Sequence, residues 1–355
     1  MASITKYRSG WRAYVYVDDG RVAKTFRTKA EALAWTKSVE NGNDPGGTYT
    51  SSGATFRDLL EKYEKTETPK KRGSAEESRR IAALMKEPIA SISIHSLTSD
   101  ILQDWIDTKK QQISPQTGRK LKTSSVARYL TIIKAVFTYA VKKKLLKESP
   151  AADVHCPIEE EARERIATEE EMELLKTAVQ WSEDEPPVLA SQRIIAAFIF
   201  ACFTGMRIGE IERIERSWIQ GSSIKIPKEI TKTYHSRTIA IPNRAMNVLN
   251  QVLSLNLEPE VFGLKVKQHD ALFRKIRNSA GLCAVYDSNG HEVKQGLNFH
   301  DSRATFCTWA ASPGSDGAPR LDVLALAKQT GHKNLKMLMR YYRKDPTELL
   351  SRLND

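Results

Sequence analysis

Four cysteines in 355 residues, Cys156, Cys202, Cys283 and Cys307, lie far apart without any Cys-x-x-Cys spacing. That pattern excludes a zinc knuckle and a disulfide framework and leaves four reduced thiols as the expectation. Long apolar runs are missing as well. The longest, Ile194 to Phe203, is about half of the roughly 20 residues that a membrane span requires, and Met1 to Ser9 lacks the apolar stretch of a secretory signal. Carboxylates and histidines nowhere cluster at ligand spacing, so neither a metal nor a cofactor is expected. Internal repeats and low-complexity tracts are absent. The expectation is a cytoplasmic protein with no membrane partner.

What the chain does carry is positive charge. Its 55 Lys and Arg against 43 Asp and Glu leave a formal charge of +12, which favours a polyanionic partner, nucleic acid first. The excess is uneven. Residues 1–54 hold 8 basic and 5 acidic side chains, residues 55–158 hold 20 and 12, and residues 159–355 hold 27 and 26. The middle third is therefore the segment expected along a phosphate backbone, and the near-neutral last part must act more locally.

The hydrophobic pattern divides the chain at the same places. Trp11, Ala13, Val15 and Val17 alternate with Arg12, Tyr14 and Tyr16, a turn follows at Asp19-Gly20, and a second alternating run covers Arg21 to Phe26. This predicts a hairpin, with Ile4 to Arg8 as a third strand. Thr28 and Glu31 form a capping box for a short helix whose Ala30, Leu33 and Ala34 are expected to pack on the sheet, with Trp35 close by. Asn41 to Ala54 reads as a flexible linker. From Thr55 to Pro150 the pattern is helical, with capping signals at Ser74 and Thr98 and a long helix from Ser124 to about Leu145. Its apolar stripe leaves Arg128, Lys134, Lys142 and Lys143 on the outside. After an acidic stretch, Thr168 and Glu171 open another helix. Further helices are expected near 191–203, 267–279, 301–311, 321–329 and 334–343, with strands at Ser223 to Ile226 and Arg237 to Ile241. The fold class is α+β and multidomain: an N-terminal three-stranded sheet plus helix over 1–54, a helical bundle over 55–158, and a mixed, mainly α domain over 159–355.

The third segment contains Thr204-Gly205-Met206-Arg207-Ile208-Gly209-Glu210, then Thr231-Lys232-Thr233 between two strands, then His300-Asp301-Ser302-Arg303, then Gly331-His332, and Tyr341 nine residues after His332. Any one of these pieces is common by chance. Taken in this order they resemble the tyrosine recombinase family, the phage integrase type in particular. The helix ending at Ala140-Val141 and the following Ser149-Pro150-Ala151 resemble the end of that family's core-binding domain, and the N-terminal sheet and helix are similar to the arm-type DNA-binding domain of lambda-like integrases. Two positions depart from the family's habit: Thr330 stands where Leu commonly precedes Gly-His, and Ser149 where Asn often precedes Pro. Neither carries chemistry in the scheme that the family implies.

That scheme is sound physical chemistry. Breaking a phosphodiester without metal requires neutralising the non-bridging oxygens, and guanidinium groups donate paired hydrogen bonds in the right plane. Arg207 and Arg303 fit that role. A phenol, with a pKa near 10, needs cationic surroundings or a base before it attacks; the resemblance makes Tyr341 the nucleophile and His300 its base or hydrogen-bond partner. The departing 5′ oxygen needs a general acid, for which Lys232 is placed, with Lys225 and Lys228 as neighbours that make the choice less sharp. His332 would complete the phosphate clamp, and Glu210 would orient Arg207 or the local backbone. Tyr342, adjacent to Tyr341, takes over as nucleophile if the last helix is shifted by one residue.

Lys142 to Lys144 would ordinarily be a solvated helix face. In a basic segment they become DNA-backbone candidates together with Arg128 and Lys134. Arg12, Tyr14, Tyr16 and Lys24 are expected on the sheet face opposite the helix, where a strand reader meets a groove; the alternative is an ordinary polar sheet face. The resemblance implies a site-specific recombinase that integrates or excises a mobile element in a bacterial host. Its partners would be double-stranded DNA at attachment sites, three further copies of the chain in a homotetramer, a DNA-bending host factor and an excision factor. The rival readings are a topoisomerase-like relaxing enzyme and a non-catalytic DNA-binding regulator.

Overall fold

The computed structural model describes residues 2–7, 10–17, 20–40, 48–49, 54–114, 118–158, 163–231, 234–264, 269–287, 292–315 and 317–342. The chain forms two compact units, Met1–Glu161 and Ala162–Asp355. In the first, strands β1 (Ala2–Tyr7), β2 (Gly10–Val17) and β3 (Gly20–Phe26) form an antiparallel meander, covered by helix α1 (Lys29–Glu40) and extended by the short strand β4 (Thr48–Tyr49). The sheet thus has four strands, not three, and β4 lies inside the stretch expected to be linker. The capping box at the start of α1 forms as anticipated, Glu31 N–H donating to Thr28 Oγ1 and Thr28 N–H to Glu31 Oε2. The helix is rotated from the expected phase, however. Ala32, Trp35 and Val39 bury against Ala13 and Val15, while Ala30 and Leu33 face solvent.

The register also corrects one surface assignment. Residues directly opposite in an antiparallel pair share a face, and Lys24 pairs with Ala13, which lies under α1. Lys24 therefore belongs to the helix side, its ammonium 5.8 Å from the Phe26 ring centroid. Arg12 and Tyr14 lie on the opposite face, the Arg12 guanidinium stacked 5.1 Å from the Tyr7 ring and 5.7 Å from the Tyr14 ring. Such stacking is worth about 0.5–1 kcal/mol at an exposed site and orders the charge for a partner.

The rest of this unit is helical: α2 (Phe56–Thr66), α3 (Ser74–Leu84), α4 (Ser99–Gln111) and α5 (Thr123–Lys142). Thr55 and Asp58 form a reciprocal capping box on α2, and Thr98 accepts the Ile101 N–H at the start of α4. Ser74 is already the first helical residue of α3, and its cap position is Gly73, so the expected serine cap does not form. The stripe of α5 buries Val126, Leu130, Ile133, Val136, Phe137 and Ala140, with Phe137 stacked on Phe56 at 5.1 Å. Arg128, Lys142 and Lys143 are exposed; Lys134 donates to the Ala152 carbonyl at 3.2 Å, tying α5 to the turn after it.

The second unit is built on α7 (Ala190–Thr204), apolar almost all round and buried from Ile194 to Cys202. A helix of that composition must be wrapped on every side. Around it stand α6 (Glu169–Ala178), capped by Thr168 and Glu171, then α8 (Ile208–Ile211), α9 (Asn243–Leu253), α10 (His269–Ser279) and α11 (Asp301–Ala311). Strands β5 (Ile219–Gln220), β6 (Ser223–Ile226) and β7 (Arg237–Ala240) make a three-stranded antiparallel sheet, and β8 (Val285–Tyr286) and β9 (Glu292–Lys294) a separate hairpin. Helices α12 (Val323–Thr330) and α13 (Lys336–Met339) follow, and a 3-10 turn covers Arg340–Tyr342. No described helix is long and apolar enough to cross a membrane.

One buried charge in this unit makes stability depend on pH. The Glu212 carboxylate is 1% exposed and is met by the His269 ring. Its hydrogen bond raises the His269 pKa, against the opposing effect of burial. A raised folded-state pKa contributes stability that is fully present below the ordinary histidine value of about 6.5 and is lost as pH rises through the folded value. The thermal midpoint of the protein should therefore fall as pH increases above about 6.5, and His269→Asn should remove that slope. Equal slopes for both proteins in calorimetric scans would refute the linkage.

Candidate active site

The site begins where α7 ends. Gly205 closes the helix in the left-handed conformation, φ +68°, and a Cβ there would approach Phe306 to 2.5 Å. Glycine is needed on both counts. The chain then turns extended at Arg207, which precedes α8, and Glu210 in α8 reaches back to accept the Arg207 N–H at 3.0 Å. The Arg207 guanidinium donates to Glu210 Oε1 at 3.3 Å and to the Thr330 carbonyl at 3.4 Å. Glu210 thus holds both the backbone and the side chain of Arg207.

Glu210 is 2% exposed, and most of its compensation comes from Arg237 on β7. Arg237 grips it with both Nη atoms, at 2.9 and 2.7 Å, and its Nε donates to the Gln329 carbonyl at 3.3 Å. Burial pushes the Glu210 pKa up, but the Arg237 hydrogen bonds and charge outweigh it and the net direction is down, so the group is ionised at neutral pH. Gln329 pairs with both backbone groups of Ala240 and donates to the Thr204 carbonyl, stitching α12 to β7 and to the end of α7. Arg237 escaped the sequence reading, although a signal was there. In β7 it shares a face with the buried Ile239, and an arginine at a core-facing strand position needs a buried acid.

Arg303 is 4% exposed on α11 and donates to the Gly205 carbonyl and, at 2.6 Å, to the Thr330 carbonyl. The Thr330 carbonyl therefore sits between the two guanidiniums. Gly331, left-handed at φ +70°, ends α12 and turns His332 back toward Arg303, whose Nη2 lies 3.2 and 3.3 Å from the two ring nitrogens. The Thr330 hydroxyl donates to the Leu326 carbonyl at 2.6 Å and lies 2.7 Å from His332 Nδ1. A hydroxyl whose one proton is committed accepts there, which assigns the proton to Nδ1. Burial, then the charges of Arg303 and Arg207, push the His332 pKa down to about 3, so the ring is neutral. Thr330, which carries no chemistry in the family scheme, in fact orders Arg207, Arg303 and His332 together.

The electrostatic balance is one-sided. Arg207 and Arg237 share a single carboxylate, Glu210, while Arg303, among the described residues, donates only to carbonyls and His332, and burial together with Arg207 pushes the Arg303 pKa down to about 9. Positive charge that is buried beyond its local compensation is a site for an anion.

Beside these groups lies a cleft of about 120 Å³ lined by Arg163, His300, Arg303, His332, Arg340 and Tyr341, among others. His300 is exposed at the start of α11. The next residue, Asp301, accepts from Arg163 Nε at 2.7 Å and Nη2 at 2.6 Å and from the Asn298 N–H at 2.7 Å, which fixes the helix start. Neither Arg163 nor Arg340 was singled out in the sequence. The Tyr341 hydroxyl accepts from Arg340 at 2.7 Å; the Tyr342 hydroxyl is committed to the Leu321 carbonyl at 2.6 Å, and Tyr342 does not line the cleft. Burial raises the pKa of Tyr341, partly offset by the Arg340 hydrogen bond, and pushes that of Tyr342 up to about 12. Lys232 lies outside the described residues, as does the side chain of Tyr16. Among the described residues no group of histidines, cysteines and carboxylates could hold a metal ion.

Residues 164–348 match the phage integrase family and residues 53–156 the phage integrase SAM-like domain. A putative integrase/recombinase of Haemophilus influenzae is 29% identical over 353 residues, covering 98% of this chain and 89% of that protein. Among solved structures, the Tn1549 transposon integrase in complex with circular intermediate DNA superposes with a TM-score of 0.62 at 16% identity, over 85% of this chain and 100% of that one. A lambda integrase tetramer bound to a Holliday junction gives 0.60 at 17% identity, over 90% and 95%. At such identities the structural likeness is one of fold.

Proposed function

Because this chain belongs to the phage integrase family and is a site-specific tyrosine recombinase, we propose that it cuts and rejoins duplex DNA through a 3′-phosphotyrosine intermediate without metal or nucleotide cofactor. The observation that carries this reading is the surplus of guanidinium over carboxylate at Arg207, Arg237, Arg303 and Glu210, next to a cleft that Tyr341 lines. Arg207 and Arg303 take the non-bridging oxygens of the scissile phosphate as charge builds on them. The Tyr341 oxygen bonds to phosphorus and its proton passes to His300. The bond from phosphorus to the 5′ oxygen breaks with its electron pair on that oxygen, which takes a proton from Lys232. His332 adds a neutral hydrogen-bonding edge. Attack by a 5′ hydroxyl on the adduct reverses these transfers, so one phosphodiester is exchanged for another and no nucleotide is consumed.

In this reading residues 1–54 are an arm-type DNA reader, 55–158 a core-binding domain and 159–355 the catalytic domain. Arg12, Tyr14 and Tyr16 of the sheet and Arg128, Lys134, Lys142 and Lys143 of α5 contact DNA. Lys24 is set apart from them by its place on the helix side. The likeness to the lambda integrase tetramer on a Holliday junction supports four copies acting together on DNA; a DNA-bending host protein and an excision factor would set the direction. The test is covalent trapping: full-length protein with DNA flanking its own gene, in EDTA and without ATP, stopped with SDS. A protein–DNA adduct is the expected result. DNA that is bound and bent without any adduct would put the regulator reading ahead.

A further inference from the structure

The residue immediately before Tyr341 does more than continue the chain. The Arg340 guanidinium carbon lies 4.8 Å from the Tyr341 ring centroid and its Nη2 donates to the phenol oxygen at 2.7 Å. Its Nε is buried with no partner among the described residues, and the side chain lines the same cleft as His300, Arg303 and His332. The Tyr342 hydroxyl, by contrast, is held on a backbone carbonyl at 2.6 Å. Arg340 thus discriminates between two adjacent phenols, and its Nε remains an unspent donor.

We propose that Arg340 is a catalytic residue of strand transfer: it holds the Tyr341 oxygen as the phenol proton leaves, and holds the same oxygen when it departs again in religation. The proposal rests on Tyr341 being the nucleophile. In cleavage the Oη–P bond forms, the bond to the 5′ oxygen breaks and the phenol proton goes to the base. In religation the 5′ oxygen bonds to phosphorus and the electron pair of the Oη–P bond returns to the phenolate, beside the guanidinium. A donor on that oxygen raises the anion fraction below the phenol pKa, and weakens the anion's nucleophilicity by a smaller factor because Brønsted slopes are below one. The same donor makes the phenolate a better leaving group. Cleavage gains at neutral pH, and that gain shrinks as the medium itself ionises the phenol; the gain in religation, where the ester oxygen carries no proton, persists at every pH. A residue that only shaped the turn would have no such pH signature.

The experiment measures adduct formation and religation rates on nicked duplex from the flanking DNA for the wild-type protein, Arg340→Gln, Arg340→Lys and Tyr341→Phe, from about pH 6 to about pH 11, past the ordinary phenol value. DNA affinity is followed by gel shift in parallel. Arg340→Gln should bind DNA normally and cleave about 10- to 100-fold more slowly at neutral pH, a difference that narrows at the alkaline end as the phenol ionises, while its religation stays slower than wild type at every pH. Arg340→Lys should fall between. Unchanged rates, or a cleavage loss equal at every pH, would overturn the role of Arg340 alone. An adduct that survives in Tyr341→Phe would overturn it together with the assignment of the nucleophile.

Discussion

Tyr341→Phe is expected to abolish the covalent adduct, by at least about 10⁴-fold, whereas Tyr342→Phe should retain it near the wild-type level. The two phenols are adjacent in sequence but are held differently. The Tyr341 oxygen lies in the cleft on Arg340, and the Tyr342 oxygen donates to the Leu321 carbonyl. For Tyr342 to attack, it would have to give up that bond and turn toward the cleft. Its pKa, pushed up to about 12 by burial, also makes it the harder phenol to ionise. Tyr342→Phe should instead show a small loss of stability, about 0.5–1.5 kcal/mol for one hydrogen bond, read in denaturant unfolding. Retention of the adduct in Tyr341→Phe with loss in Tyr342→Phe would invert the assignment.

Much of this candidate site was legible before the fold was known, because motifs in a fixed order point to Arg207, Arg303, His332 and Tyr341, which the fold brings together. What remained hidden has physical causes. The offset from His332 favours Tyr341 over its neighbour, but only the Leu321 carbonyl explains why the neighbour is occupied elsewhere. Thr330 could not be read as important, since half of its contribution is a backbone carbonyl shared by Arg207 and Arg303, and carbonyls have no residue signature. In α1, Ala30 and Leu33 looked like the inward stripe; a short helix rich in alanine carries too little pattern to fix its rotation, and Trp35 with Val39 decided it. Strand β4 is two residues long in a stretch of turn formers, and its pairing with β3 is set by the sheet edge rather than by any alternation of its own.

Arg237→Ala should be the most damaging change in the site that leaves every predicted catalytic side chain intact. It removes two hydrogen bonds and the closest cation from a carboxylate that is 2% exposed. Breaking one partner of a buried ion pair costs about 3–5 kcal/mol, because the remaining charge stays desolvated. Glu210 would be left with Arg207 alone, at 3.3 Å, and would draw that guanidinium away from the phosphate. Two losses are therefore expected together: a lower denaturant midpoint and adduct formation slowed by roughly 10²- to 10³-fold, the scale of losing a preorganised donor. The double variant Arg237→Ala, Glu210→Ala separates them. With the orphaned carboxylate gone, much of the stability should return, since neighbouring partners are not additive. Activity should not return, because Arg207 then loses the carboxylate that holds its backbone and side chain and is left with the long 3.4 Å bond to the Thr330 carbonyl. Single and double variants of equal stability would mean that Glu210 does not depend on Arg237 for its burial. The cation needed to keep Glu210 ionised comes from β7, which pairs with β6, and Lys232 falls between these two strands in the sequence. The strand that supports the arginine clamp is thus joined within a few residues of chain to the proposed general acid.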